Sequence, residues 1–187
     1  MEIEKKNRFI EFVKNYAMYI AVALVIFAVA LTFSIVAAVN ASVPASTNRM
    51  EFQLPMTNAT IIKDFSNTEL QNNETLNQWE AHLAVDLAGQ DGDVFAILDG
   101  TVTKVDYSFL DGYTITLTHE SGFESKYSSL KEEVLVKEGD KVKAGDKIGV
   151  VSTSASGELD LGEHLHFCLK LNNAFVDPND YLDLQQK

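Results

Sequence analysis

Tyr113-Thr114-Ile115-Thr116-Leu117-Thr118 alternates apolar and polar side chains, the period-two pattern of a strand with one face in a core and the other toward water. β-branched residues gather similarly in Val102 to Val105, Val134 to Val136 and Ile148 to Val151, and Gly92, Gly100, Gly112, Gly122, Gly139, Gly145 and Gly149 separate such runs at turn-like intervals. Short strands joined by close turns predict a mainly β domain of antiparallel strands. One helix is expected near Asn67 to Trp79, where Thr68 can cap and Leu70, Leu76 and Trp79 supply an apolar side. Lys137 to Gly149 holds paired glycine turns of the kind that closes a barrel-sandwich-like structure. Lipoyl and biotinyl carriers have a similar stretch, but they need a modifiable lysine at a hairpin tip flanked by apolar residues, and no lysine here has that setting.

Two segments carry the chemistry: His82-Leu83-Ala84-Val85-Asp86 and His164-Leu165-His166-Phe167. On a strand, side chains at i and i+2 share a face, so His164 and His166 point into one cavity while Leu165 and Phe167 pack on the other side. The same rule groups His82, Ala84 and Asp86, with the small Ala84 leaving room for an ion over the strand. A lone strand histidine is most often a hydrogen-bonded core or surface residue. Together, though, the two segments offer the imidazoles and carboxylate from which hydrolytic zinc sites are built. His119, in His119-Glu120-Ser121-Gly122, reads as a loop residue. Cys168 is the only cysteine, which excludes a disulfide within the chain. It shares the strand face of His166 and reads as a small buried side chain, with a place beside or among the ligands as the alternative.

The first part of the chain has a different character. Residues 17 to 39 are 23 positions without a charge, more than the ~20 a helix needs to cross the hydrocarbon core. Lys5, Lys6, Arg8 and Lys14 precede this stretch and the next basic residue is Arg49, so the positive-inside rule puts the N-terminus in the cytoplasm and the bulk of the chain outside. The apolar run exceeds the ~7 to 15 residues of a cleaved signal peptide, which favours a retained anchor. The expected organisation is a cytoplasmic tail at 1–16, a transmembrane helix at 17–39, a stalk at 40–52 and one β domain at 53–187. Beyond residue 39 there are 11 basic and 24 acidic side chains, a formal −13. That balance excludes nucleic acid as a partner and disfavours anionic wall polymers, while it would attract a protein with a basic surface; it also suits a domain that must simply stay soluble.

The order of motifs resembles the lysostaphin or LytM-type zinc endopeptidases: His82 to Asp86, then Asp99-Gly100-Thr101-Val102, Tyr127 to Leu130, the paired-glycine turns, His164 to Phe167, and Val176-Asp177-Pro178. The resemblance covers roughly Gln53 to Leu182. It implies one zinc ion held by His82, Asp86 and His166, a catalytic role for His164 beside the metal, and peptidoglycan peptides as substrates. The departures matter equally. The family's second catalytic histidine has Ser129 in its place, and a neutral hydroxyl cannot take up a proton at neutral pH as imidazole does. Losing such a group typically lowers the rate ~10² to 10⁴-fold. Ala84 stands where the family has glycine, Glu163 where proline commonly precedes the His-Leu-His motif, and Cys168 where an acidic residue often follows. Taken with the anchor, Ser129 makes the chain resemble the family's degenerate, membrane-anchored sporulation members. That implies a zinc-site domain with impaired catalysis, acting as an extracytoplasmic binding module in forespore engulfment, in the space between two membranes, in a channel with stage III sporulation protein AH. A working zinc endopeptidase and a metal-free structural anchor remain as alternatives.

Overall fold

Alternation is what fills the centre of this domain. Ile115 and Leu117, two of the apolar members of the opening stretch, are fully buried, Tyr113 is half-buried against the same core, and Thr118 is exposed. They meet Val85, Leu87, Val94, Ile97, Tyr127, Leu130, Ile148, Leu165, Phe167 and Leu169 in one core. The computed structural model describes residues 8, 11, 14–19, 21–22, 25–30, 32 and 50–184. Contacts divide the chain into Met1–Arg49 and Met50–Lys187. The described residues between 8 and 32 are helical. Among the described residues no helix is long and apolar enough to cross a membrane; much of the expected span at 17–39, and most of the expected stalk at 40–52, lies outside them.

Among its described residues the second unit contains twelve strands: β1 (Ala59–Lys63), β2 (Ser66–Asn73), β3 (Gln78–His82), β4 (Val85–Gly89), β5 (Asp93–Phe95), β6 (Gly100–Ser108), β7 (Gly112–Thr118), β8 (Phe123–Leu130), β9 (Lys141–Val142), β10 (Lys147–Val150), β11 (Leu165–Leu171) and β12 (Ala174–Val176). An eight-stranded sheet runs β1-β4-β11-β8-β7-β6-β9, with β12 alongside β11; β10 pairs with β5, and β2 with β3. Its pairings are antiparallel, as the strand lengths and turns predict. Val134 to Val136, expected as a strand, is an irregular connection tied down by Leu135 N–H donating to the Ile148 carbonyl at 2.9 Å.

The paired glycine turns are two copies of Lys-x-Gly-Asp. In each, the Asp N–H donates to the Lys carbonyl, at 3.1 Å for Asp140 and 3.0 Å for Asp146. The Asp carboxylate also accepts from the Lys N–H, at 3.1 Å and 2.7 Å. The third residue must take positive φ, 89° at Gly139 and 86° at Gly145, which glycine adopts without strain.

The expected helix near Asn67 to Trp79 is instead the β2–β3 hairpin. Leu70, Leu76 and Trp79, its supposed buried side, are 61%, 38% and 68% exposed. Asn73 makes the turn by accepting from Leu76 N–H at 2.9 Å, and Asn77 closes it at φ 50°, so local Asn chemistry overrides a fortuitous helical spacing.

Candidate metal centre

The register of β11 explains how residues 80 positions apart in sequence meet. His166 lies directly opposite Asp86 on β4 and opposite Ser128 on β8, and directly opposed residues share a face. Their neighbours Val85, Leu87, Leu165 and Phe167 turn the other way into the core. Asp86 is fully buried, with Oδ1 2.8 Å from His166 Nδ1 and Oδ2 3.1 Å from His82 Nε2. His82 ends β3 just before the two-residue link to β4, so it reaches Asp86 across that link and not along one strand as expected. Ala84 in the link is fully buried. The His82 and His166 rings meet edge to face, 5.4 Å between centroids.

Each histidine is oriented from behind. His82 Nδ1 lies 2.9 Å from the Asp64 carbonyl, which accepts only from a protonated Nδ1 and so leaves Nε2 with its lone pair toward the site. His164 Nδ1 is fixed in the same way on the Gly162 carbonyl at 2.9 Å, turning Nε2 to Glu158 Oε2 at 3.4 Å. On the far side of His166, Nε2 is 3.7 Å from Cys168 Sγ. Cys168 is thus a buried neighbour of a candidate ligand.

Glu158 was not singled out in the sequence. It belongs to the 3-10 segment Ser156–Leu161, and its carboxylate enters the group with Oε2 2.9 Å from His166 Nδ1 and Oε1 3.6 Å from His82 Nε2. Lys63 Nζ of β1 holds Oε1 at 3.3 Å. No motif spacing marks either residue.

Charge is tightly arranged here. Burial disfavours ionisation of Asp86, but the hydrogen bond from His166 and the His166 charge outweigh it and hold the carboxyl below its ordinary range. For Glu158, too, burial is overcome by hydrogen bonds from His164 and His166 and by the His166 and Lys63 charges, and its pKa is lowered. Burial opposes protonation of His166, yet the Asp86 hydrogen bond, with smaller contributions from Cys168 and Glu158, raises its pKa well above the ordinary value. His164 is raised too, its burial being offset first by the Glu158 hydrogen bond.

The residues present fit a cation. His82 Nε2 and Asp86 Oδ2 are buried without a hydrogen-bond partner, although they are only 3.1 Å apart. Two lone pairs facing one another at that distance repel unless positive charge lies between them. One ligand atom from each of His82, Asp86, Glu158 and His166 lies within 4.8 Å of all the others.

Ser129 does not join this group. It is fully buried, takes φ 63°, and its hydroxyl donates to the Ser152 carbonyl at 2.9 Å. His119 lies in the β7–β8 loop, as expected, but is buried there, with Nδ1 2.9 Å from the Asp99 carbonyl and Nε2 2.8 Å from Ser125 Oγ. A Cβ on Gly100 would lie 2.6 Å from His119 Nδ1, which gives the Asp99-Gly100 turn a packing reason for its glycine.

With this geometry in hand, the likenesses to known proteins are informative. Stage II sporulation protein Q of Bacillus subtilis (strain 168) is 32% identical over 136 residues, 67% of this chain and 47% of that protein; the chain therefore spans about half of that relative's length. A solved structure of the SpoIIQ-SpoIIIAH pore forming complex matches with a TM-score of 0.63 and 29% identity, over 72% of this chain and 92% of that one. A zinc containing peptidase from Vibrio cholerae matches with a TM-score of 0.59 and 27% identity, over 74% of this chain and 40% of that one. Residues 80–178, more than half of the sequence, match the family described as peptidase family M23, and they contain the whole cluster around Asp86 apart from its Lys63 and Asp64 supports: this chain belongs to peptidase family M23.

Proposed function

We propose that the chain is a membrane-anchored, extracytoplasmic binding module of sporulation whose zinc centre is structural and whose peptidase chemistry is impaired. Its partner is stage III sporulation protein AH, with which it forms a channel across the intermembrane space during forespore engulfment. The likeness to stage II sporulation protein Q and to the SpoIIQ-SpoIIIAH complex supports the partner. The uncharged run at residues 17 to 39 supports the anchor.

Ser129 carries the reading on catalysis. Its hydroxyl is buried and committed to the Ser152 carbonyl, so no second base is available at that position to move a proton. His82, Asp86 and His166 would hold zinc, which when bound supplies Lewis-acid polarisation of a peptide carbonyl. His164, with Nε2 turned inward, is then the one histidine beside the ligands able to exchange a proton there.

That inward Nε2 also supports a second reading, a slow zinc endopeptidase on peptidoglycan peptides. Incubating the full-length protein with peptidoglycan separates the two: the binding-module reading expects no new amino termini above background, and termini that vanish in His166→Ala establish the peptidase. For the partner, immobilised protein should retain stage III sporulation protein AH, and failure to do so removes the proposed assembly.

A further inference from the structure

We infer that Glu158 is a fourth protein ligand which closes the metal centre, occupying the position that a hydrolytic site keeps free for water and substrate. This rests on the reading that His82, Asp86 and His166 hold zinc. Catalytic zinc sites use three protein ligands and one open position, whereas four protein ligands make a closed, structural site.

Distance supports the assignment. Two ligands ~2.0 to 2.1 Å from one ion in tetrahedral directions lie ~3.3 Å from each other. The separations around the cluster bracket that value: 3.1 Å for His82 Nε2 to Asp86 Oδ2, 3.6 Å for His82 Nε2 to Glu158 Oε1, and 2.9 Å for His166 Nδ1 to Glu158 Oε2. The 3.6 Å separation is too long for a hydrogen bond but suits two donors that share an ion. An ion pair with His166 alone would leave His82 Nε2 and Asp86 Oδ2 orphaned. Two neutral imidazoles and two carboxylates carry a combined charge of −2, matching a divalent cation.

Glu158 is also held in place. Its backbone departs from the helical region at φ −141°, ψ 36°, and the residues around it are fastened on several sides. Ser156 N–H donates to the Phe109 carbonyl at 3.2 Å and Gly157 N–H to the Leu110 carbonyl at 3.1 Å. Asn73 Nδ2 donates to the Gly157 carbonyl at 3.0 Å, and Asp160 N–H to Thr75 Oγ1 at 3.1 Å. A Cβ on Gly157 would come within 3.1 Å of the Leu110 carbonyl oxygen, so a side chain there would push the Leu110 backbone aside. Lys63 Nζ, 3.3 Å from Oε1, steers the carboxylate as a positioning residue.

Cobalt substitution in the full-length protein, purified in detergent, tests this without relying on activity. The wild-type cobalt absorption spectrum should not change on adding azide, because no coordination position is free. Glu158→Gln should become azide-responsive and bind zinc at least ~10- to 100-fold more weakly in chelator competition, since loss of a mere outer-shell partner of a ligand already weakens binding by that much. A wild-type spectrum that responds to azide overturns the inference and leaves the three-ligand zinc reading standing; this arm needs no variant to fold. A wild-type protein that takes up neither cobalt nor zinc overturns both.

Discussion

Ser129 combines two stresses at one residue. A φ of 63° is unusual for any side chain except Asn, Asp and His, and the hydroxyl donates to a backbone carbonyl. Ser129→Ala keeps the backbone strain and loses that bond, so it should lower stability by about 1 kcal/mol in urea titration. Ser129→Gly loses the bond but relieves the left-handed conformation, worth about 1 to 2 kcal/mol, and should fall close to wild type; equal losses for the two would show that strain plays no part. Ser129 was legible in sequence because it occupies a fixed place between Tyr127 and Leu130. Glu158 was not, because it stands in an irregular segment and meets its neighbours through tertiary contacts with β1, the β2–β3 hairpin, the β6–β7 connection and the histidines at the start of β11.

At the scale of elements, β8 and the connection leading into it bury a chain of polar groups beside the apolar core. Ile97 N–H donates to Tyr127 Oη at 3.0 Å, Tyr127 Oη and Ser125 Oγ are 3.1 Å apart, and Ser125 Oγ is 2.8 Å from His119 Nε2. His119 Nδ1–H donates to the Asp99 carbonyl at 2.9 Å. Tyr127→Phe leaves the Ile97 N–H and the Ser125 hydroxyl short of partners and should destabilise by about 1 to 3 kcal/mol. Burial holds the pKa of His119 below the ordinary 6.5, against the opposing Asp99 hydrogen bond and charge. The unfolded chain therefore takes up this proton first. The contribution of His119 to stability is complete above about pH 6.5 and is lost as pH falls from there through the lower folded value. Denaturation midpoints of wild type should drop more steeply from pH 7.5 to pH 5 than those of His119→Gln; parallel profiles would exclude His119 as the cause.

The period-two signal survived into structure wherever one strand face is apolar, as in β7. The helix expected near Asn67 to Trp79 failed because three exposed apolar side chains happened to fall at helical spacing, while the residues that decide the hairpin, Asn73 and Asn77, act through turn chemistry. The pairing of Asp86 with His166 could be anticipated as to residue type but not as to register, which is set by β11 lying between β4 and β8.

For the molecule as a whole, net charge and the proposed zinc each have a measurable consequence. The formal −13 beyond residue 39 should make association with a basic partner surface weaken as salt rises, since exposed charges are screened beyond ~8 Å at physiological ionic strength. A salt-independent affinity would point to an apolar interface instead. Zinc that binds only the folded state adds about 2.7 kcal/mol when free metal is at 100 times its dissociation constant. Chelation should therefore lower the melting temperature of wild type and leave His166→Ala unmoved, and an unchanged wild-type transition would mean that no metal contributes. One further property follows from the hairpin. Trp79 is the chain's single tryptophan and is 68% exposed on β3, the strand that ends in His82. Its indole already sits largely in water, so emission from the native protein should be red-shifted and should move little on unfolding. A blue shift would instead report that something has covered the hairpin next to the candidate metal centre, giving a label-free optical signal for docking at that face.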